Sequence, residues 1–272
     1  LMDVIGVTYL STGQARRAEP LLERSLAIRH EQLAAPHLEL ADSLRHVGML
    51  RFIQGHPEGS QLIREARAMR RQLVPDDDAA AALDDYCLAW SLVESDATRG
   101  EAEELFRRVL EVRQQSPDEN ERDVAYAMLG LALVELLAEQ PVAALARVNR
   151  AMAMFRELDR DANPLAPVLT FASAVANLTV GNTDDGKLSV EDTITQANEV
   201  YGERHPALLF LKYEMAWYLH QLGELELADR LLASSEELAR ESIGRHPRTA
   251  IVLGERALVQ QALGQTEQAL ES

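Results

Sequence analysis

Small residues recur along this chain at Gly6, Gly48, Ala89, Ala132, Ala174, Ala216 and Ala257, at spacings of 42, 41, 43, 42, 42 and 41. A second series, Ala18, Gly59, Ala102, Ala144, Gly186, Ala228 and Ala269, keeps step with the first. Self-similarity at such a period signals a stacked supersecondary unit, because one unit alone cannot bury its apolar face. Each unit reads as two amphipathic helices. Leu44, Val47 and Leu50 have helical spacing in a first helix, and Leu21, Leu22 and Ile28 in a second. Glycines at Gly13, Gly55, Gly181, Gly223 and Gly264 mark the turns between them. The small residues are expected where helices cross closely, since a larger side chain would push the axes apart.

Composition agrees with an all-α chain. Hydrophobic residues make up 47 % but aromatics only 5 %, and the dominant Ala, Leu, Glu and Arg lose little rotamer freedom in a helix. The expected fold is an α-solenoid of about seven helix pairs, with approximate repeats 1–35, 36–76, 77–119, 120–161, 162–203, 204–244 and 245–272, the first and last incomplete. They form a single array over 1–272. The chain opens on Leu1, inside a first helix, and ends on Ser272, early in a second, so it reads as cut from a longer protein.

The stretch VIGVTYLSTGQARRAEPLLERSLAIR resembles a tetratricopeptide repeat, with Gly6, Tyr9, Gly13, Ala18, Leu22 and Ser25 on the signature positions. The 42-residue period is similar to the longer version found in kinesin light chains and many bacterial proteins. The resemblance covers essentially the whole chain and implies a right-handed superhelix. It is strongest in repeats 1, 2, 6 and 7. In repeat 3 ESDATRGE replaces the glycine turn, and repeat 5, whose second helix (DDGKLSVEDTITQANEV) is rich in β-branched and polar residues, is expected to be the loosest.

Asn163-Pro164, His205-Pro206 and His246-Pro247 occupy one slot, just before the first helix of repeats 5, 6 and 7. Proline suits a first helical position, where its missing N–H costs nothing. Histidines in successive units lie about 8–10 Å apart, too far to share a zinc ion without further ligands. These pairs read as punctuation. GNTDDGKLS at 181–189 falls short of a phosphate-binding loop because Leu188 stands where a hydroxyl is needed and Asp184 and Asp185 repel phosphate. HEQLA at 30–34 lacks the second histidine of a zinc helix. Cys87 lies on a largely apolar helix with no basic neighbour in sequence to activate it. No catalytic constellation, cofactor loop or metal cluster survives, so no catalytic, cofactor or metal residue is expected.

A net charge of −17 argues against nucleic acid as the main partner. The charge is uneven: residues 1–73 hold 10 Arg against 8 acidic residues. No apolar run is long enough to insert in a membrane. The single cysteine and the lack of a signal peptide fit a cytoplasmic setting.

The resemblance implies a protein or peptide partner on the concave face, lined by first-helix positions six and three residues before the first-series small residue, and one and four after it. These positions carry Asp42, Arg45, Met49 and Phe52 in repeat 2, Tyr86 and Trp90 in repeat 3, Phe171, Val175 and Leu178 in repeat 5, and Phe210, Tyr213, Trp217 and His220 in repeat 6. With His46 beside them, they outline an aromatic groove offering Arg45 and His46 as polar contacts. The alternative is that these side chains pack between neighbouring first helices. The functional expectation is a non-catalytic interaction scaffold. A second reading makes the chain a regulatory or docking arm of a bacterial serine/threonine protein kinase, because AEPLLERSLAIR-type arrays often follow such domains and Arg outnumbers Lys by 25 to 2, as a GC-rich genome favours. Signalling ATPases and caspase-like proteases carry similar arrays. Uncapped solenoid ends offer a further route, self-association.

Overall fold

The computed structural model describes residues 1–265 apart from 13, 76, 116, 159–165, 204, 206 and 243–246. The described residues are helical or in turns, without a strand. Two compact units divide the chain, Leu1–Glu139 and Gln140–Ser272, with the boundary between the two helices of the fourth repeat. The first holds α1 (Met2–Ser11), α2 (Ala15–Gln32), α3 (Leu38–Ile53), α4 (Glu58–Leu73), α5 (Asp78–Leu92), α6 (Arg99–Gln114) and α7 (Pro117–Leu137). The second holds α8 (Pro141–Leu158), α9 (Ala166–Thr179), α10 (Thr183–Tyr201), α11 (Ala207–Gln221), α12 (Leu225–Ser242) and α13 (Pro247–Ala262). Within each unit consecutive helices pack, and so do successive first helices, as α1 on α3 and α11 on α13. This is the stacking of an all-α solenoid.

The two series of small residues lie where expected. Gly6, Gly48, Ala89, Ala132, Ala174 and Ala216 are buried, as are Ala18, Gly59, Ala102, Ala144, Gly186 and Ala228; Ala257 is half-buried and Ala269 lies outside the described residues. The α3–α4 crossing shows why. A Cβ on Gly59 would stand 2.6 Å from the Gly48 carbonyl oxygen and 2.7 Å from the Phe52 nitrogen, so the two backbones touch with no room for a methyl. Second helices bury one stripe, as Gly59, Ile63, Ala66 and Arg70 on α4. First helices are flanked on more sides and bury more, as Leu40, Ala41, Ser43, Leu44, Val47, Gly48 and Leu50 on α3.

The turns follow a shared device. After α3 the chain enters the left-handed region at Gly55 (φ 76°), and His56 N–H returns to the Arg51 carbonyl at 2.8 Å. Gly181, Gly223 and Gly264 repeat this with φ of 89°, 78° and 77°. Gly13 lies outside the described residues. The fourth repeat uses Glu139 in the same conformation, at φ 57°. In the third, where no glycine stands, Thr98 Oγ1 donates to the Leu92 carbonyl at 2.7 Å and closes the turn from the other side.

The second helix of repeat 5 is regular. α10 runs unbroken from Thr183 to Tyr201. Its hydroxyls turn inward on their own helix: Ser189, Thr193 and Thr195 each donate to the carbonyl four residues back, at 2.8, 2.6 and 3.0 Å. The polar atoms that would compete with helical structure are thereby consumed by it.

His205 lies just before α11 and Pro247 is the first residue of α13; Asn163, Pro164, Pro206 and His246 lie outside the described residues. No helix among the described residues is long and apolar enough to cross a membrane.

Candidate functional site

The lining positions of the first unit point along the array into the next first helix. On α3, Arg45 reaches forward so that its Nε lies 2.9 Å from Asp84 Oδ1 on α5. Met49 packs against the cluster formed by Cys87, Leu88 and Phe106. Phe52 is half-buried, its backbone facing Gly59. His46, one position off the lane, faces backward, with Nδ1 3.1 Å from Asp3 Oδ2 on α1. Asp3 also meets Arg29 and Ser43. Burial pushes its carboxyl up, but the hydrogen bonds and charges of His46 and Arg29 outweigh that and hold it below its ordinary value.

The α3–α5 junction is closed by a ring of charges. Arg70 Nε donates to Asp84 Oδ2 at 2.7 Å, Arg70 Nη2 to Asp42 Oδ1 at 2.6 Å, and Arg45 Nη2 to the same Asp42 oxygen at 3.1 Å. Asp84 is completely buried. Burial pushes its carboxyl up and the two guanidiniums pull it back only in part. In the more open Asp42, burial also acts upward, but the bonds from Arg70 and Arg45 prevail and the carboxyl is lowered. Truncating one member of such a ring strands its partner's charge, at a cost of about 3–5 kcal/mol.

Tyr86 and Trp90 form an aromatic knot. Tyr86 stands edge-on to Trp90, Phe106 and Tyr126 with centroids 6.2, 6.1 and 6.2 Å apart, and Trp90 to Phe106 at 5.6 Å. Burial drives the Tyr86 hydroxyl strongly upward and the neighbouring Cys87 thiol up to about 11. Edge-to-face geometry at these distances is packing, worth about 0.5–1.5 kcal/mol per pair beyond area burial. Both rings are half-buried and pack against the core of the first unit, as Met49 does, which is the packing alternative to an open groove.

In the second unit the lane divides. Phe171 on α9 is 7 % exposed, and Val175 and Leu178 are buried with it. Leu178 fills the space over Gly186, where a Cβ would approach its side chain to 2.6 Å. Phe171 thus packs among the core residues of the second unit. On α11 the lane stays nearer solvent. The Phe210 side chain lies outside the described ones. Tyr213 is half-buried, its hydroxyl pushed up to about 12 by burial and by the charges of Glu214 and Glu255. His220 Nδ1 lies 2.7 Å from Glu255 Oε1 on α13. Trp217 is 37 % exposed and stands edge-on to Tyr218 at 4.9 Å. Of the aromatic side chains described, it alone is exposed. The corresponding positions on α13, Ile251, Gly254 and Leu258, are exposed as well.

The structure also brings forward residues the motif reading passed over. Asp84 and Asp85 interrupt the apolar run of DAAAALDDYCLAW, and two carboxylates in such a helix are a legible sign of buried ion pairs. Their partners, Arg45, Arg67, Arg70, Arg71 and Arg108, come from α3, α4 and α6 and follow no motif. Lys187 of the phosphate-loop lookalike is paired with Glu224.

Comparison with solved structures places this architecture among known repeat arrays. A putative kinesin light chain from Podosopora anserina with nearly identical TPR-like repeats is similar over 73 % of this chain and 94 % of its own, at 17 % identity and a TM-score of 0.54. A point variant of that protein gives 0.55 over 73 % and 93 %, also at 17 % identity. A Rap protein complexed with Competence and Sporulation Factor is similar over 97 % of this chain and 75 % of its own, at 14 % identity and a TM-score of 0.66. At these identities the likeness is one of fold. No curated protein sequence matches the chain. One stretch matches a sequence family directly, and it falls outside repeats 1, 2, 6 and 7: residues 99–157, from α6 to α8, are a match to the tetratricopeptide repeat.

Proposed function

We propose that this chain is a non-catalytic scaffold of a cytoplasmic protein, and that it takes a polypeptide partner on the first-helix face of its second unit, around Trp217. One observation carries the reading. The indole of Trp217 stands exposed on a helix whose other large apolar side chains are largely covered, with Tyr213 and His220 on the same face. An indole left in water forgoes about 2 kcal/mol or more of burial, and Trp and Tyr are the side chains that most often anchor interfaces. Ile251 and Leu258 continue the apolar surface onto α13, and Gly254 between them presents no side chain to an approaching backbone. The complex named for the Rap protein supports the fold as one that accommodates a factor. Arg45, Met49, Tyr86 and Trp90 pack within the first unit, and Phe171 within the second.

The test is a selection of peptides from a random library against the wild-type chain, followed by titration of the selected peptides against Trp217→Ala. Affinity is expected to fall about 30-fold or more, as for an anchor worth about 2 kcal/mol, while far-UV helicity is unchanged. Selected peptides that bind the variant equally well would place the contact elsewhere. Attachment of the array to a serine/threonine protein kinase remains the second reading. It rests on the AEPLLERSLAIR repeat type and is decided by the reading frame upstream of Leu1.

A further inference from the structure

On the opposite, second-helix side of the first unit, three guanidiniums converge on one carboxylate. Asp85 rises from α5 between α4 and α6 and is 1 % exposed. Arg67 Nε pairs with its Oδ1. Its Oδ2 receives Arg71 Nη2 at 3.4 Å and Arg108 Nη1 at 3.2 Å. Arg67 and Arg71 lie one turn apart on α4, and Arg108 faces them from α6. One turn further along the same groove, Arg64 holds Glu101 through both carboxylate oxygens. The groove thus already grips one carboxylate in a two-pronged fashion.

The balance at Asp85 is uneven. A carboxylate offers about four acceptor sites and each guanidinium five donors, so one carboxylate leaves most of the donors of three arginines unspent. The side chains of Arg71 and Arg108 are 42 % and 41 % exposed. Because both contact the same oxygen, their two terminal nitrogens lie no further apart than the two contact distances end to end. Two oxygens of one tetrahedral anion can bridge such a gap at charge-assisted distances of about 2.7–2.9 Å. Glu104 and Glu111, one turn either side of Arg108 on α6, form no ion pair with it among the described residues. The buried Asp85 fixes the guanidiniums in place before any ligand arrives, and such preorganisation lowers the cost of binding.

We propose that Arg67, Arg71 and Arg108, held by Asp85, form a binding site for a phosphate dianion, free or carried on a side chain of a partner polypeptide. The site is independent of the Trp217 surface. Arg71 and Arg108 supply the outward donors and Arg67 the charge beneath. An isolated carboxylate, with half the charge and two oxygens, engages it less well.

Calorimetric titration at constant ionic strength tests this, with inorganic phosphate, a short peptide bearing one phosphoserine, and the same peptide unphosphorylated. The wild-type chain is expected to saturate with phosphate and with the phosphopeptide but not with the plain peptide. Arg71→Gln combined with Arg108→Gln should weaken both at least tenfold. Arg107→Gln, which removes a neighbouring exposed charge paired with Glu103, should leave them unchanged. Tighter binding of the phosphopeptide than of inorganic phosphate assigns the natural source to a partner chain, and equal affinity assigns it to the free anion. Arg71→Lys with Arg108→Lys keeps the charge but loses the planar fork, and should fall between wild type and the glutamine pair. Non-saturable binding, equal binding by the glutamine pair with its helicity intact, or equal weakening by Arg107→Gln would each overturn the site.

Discussion

At the scale of single residues, the tightest constraint is steric. Gly59 sits inside α4, where alanine would favour the helix by about 1 kcal/mol. Its Cβ would nevertheless meet backbone atoms of α3 at 2.6 and 2.7 Å, and backbone cannot rotate away. The clash outweighs the propensity, so Gly59→Ala should destabilise the first unit by about 1–3 kcal/mol, read as a lower urea midpoint. Gly100, in the first turn of α6, has no heavy atom within 4 Å of the same added methyl. Gly100→Ala is the matched control, and it should be neutral or stabilising by up to about 1 kcal/mol. Equal losses at both positions would mean that helix contact is not what selects glycine at residue 59. This constraint was legible in sequence, because a position that must be small in every repeat leaves a periodic trace. The ion ring was not. Asp84 needs Arg45 and Arg70, which lie 39 and 14 residues away in sequence, and each junction uses different residues, so no period reveals them.

At the scale of elements, the turns share one geometry reached by different chemistry. Among the described residues, four turns within repeats place glycine in the left-handed region, and the turn after α7 places Glu139 there. A non-glycine residue in that conformation carries about 1–2 kcal/mol of strain. Glu139 is exposed, so its replacement loses little packing. Glu139→Gly should raise stability by up to about 1 kcal/mol after the added freedom of the unfolded chain is subtracted, visible as a higher Tm. A lower Tm would show that the Glu139 side chain contributes more than its backbone costs. The helix pairs themselves were readable from apolar spacing. The regularity of α10 was not, because β-branched and hydroxyl residues lower propensity in isolation, and the bonds of Ser189, Thr193 and Thr195 to their own helix appear only once the helix exists. For Tyr86, Trp90 and Phe171, spacing in the sequence predicts a side of the helix but not how closely neighbouring helices cover that side.

At the scale of the whole molecule, acidity is the lever. Asp3, Asp42, Glu19 and Glu101 are lowered in the fold, Asp3 and Asp42 against their burial and Glu19 and Glu101 first of all by hydrogen bonds from Arg51 and Arg64. A carboxyl lowered by folding contributes stability that is present above its unfolded pKa and is lost as pH falls through the folded one. Asp84 acts with the opposite sign: its raised value means protonation favours the fold. Among the described residues, these four lowered groups outnumber the raised Asp84, so stability is expected to fall at pH below the ordinary carboxylate range. Urea midpoints measured from pH 7 to pH 3 should fall, and Asp42→Asn should flatten the decline while lowering the midpoint at pH 7. An acid limb of unchanged slope in that variant would move the sensitivity to other carboxyls.

The pairings between successive first helices have one more consequence. Arg45 meets Asp84 at one junction, His46 meets Asp3 at another, and His220 meets Glu255 at a third. Each is a different key cut for a different neighbour, although all the helices follow one template. A repeat copied or moved to another place in the order would bring the right shape and the wrong partner, leaving a polar side chain without its mate. The repeats are ordinal: each carries in its side chains the number of its place in line.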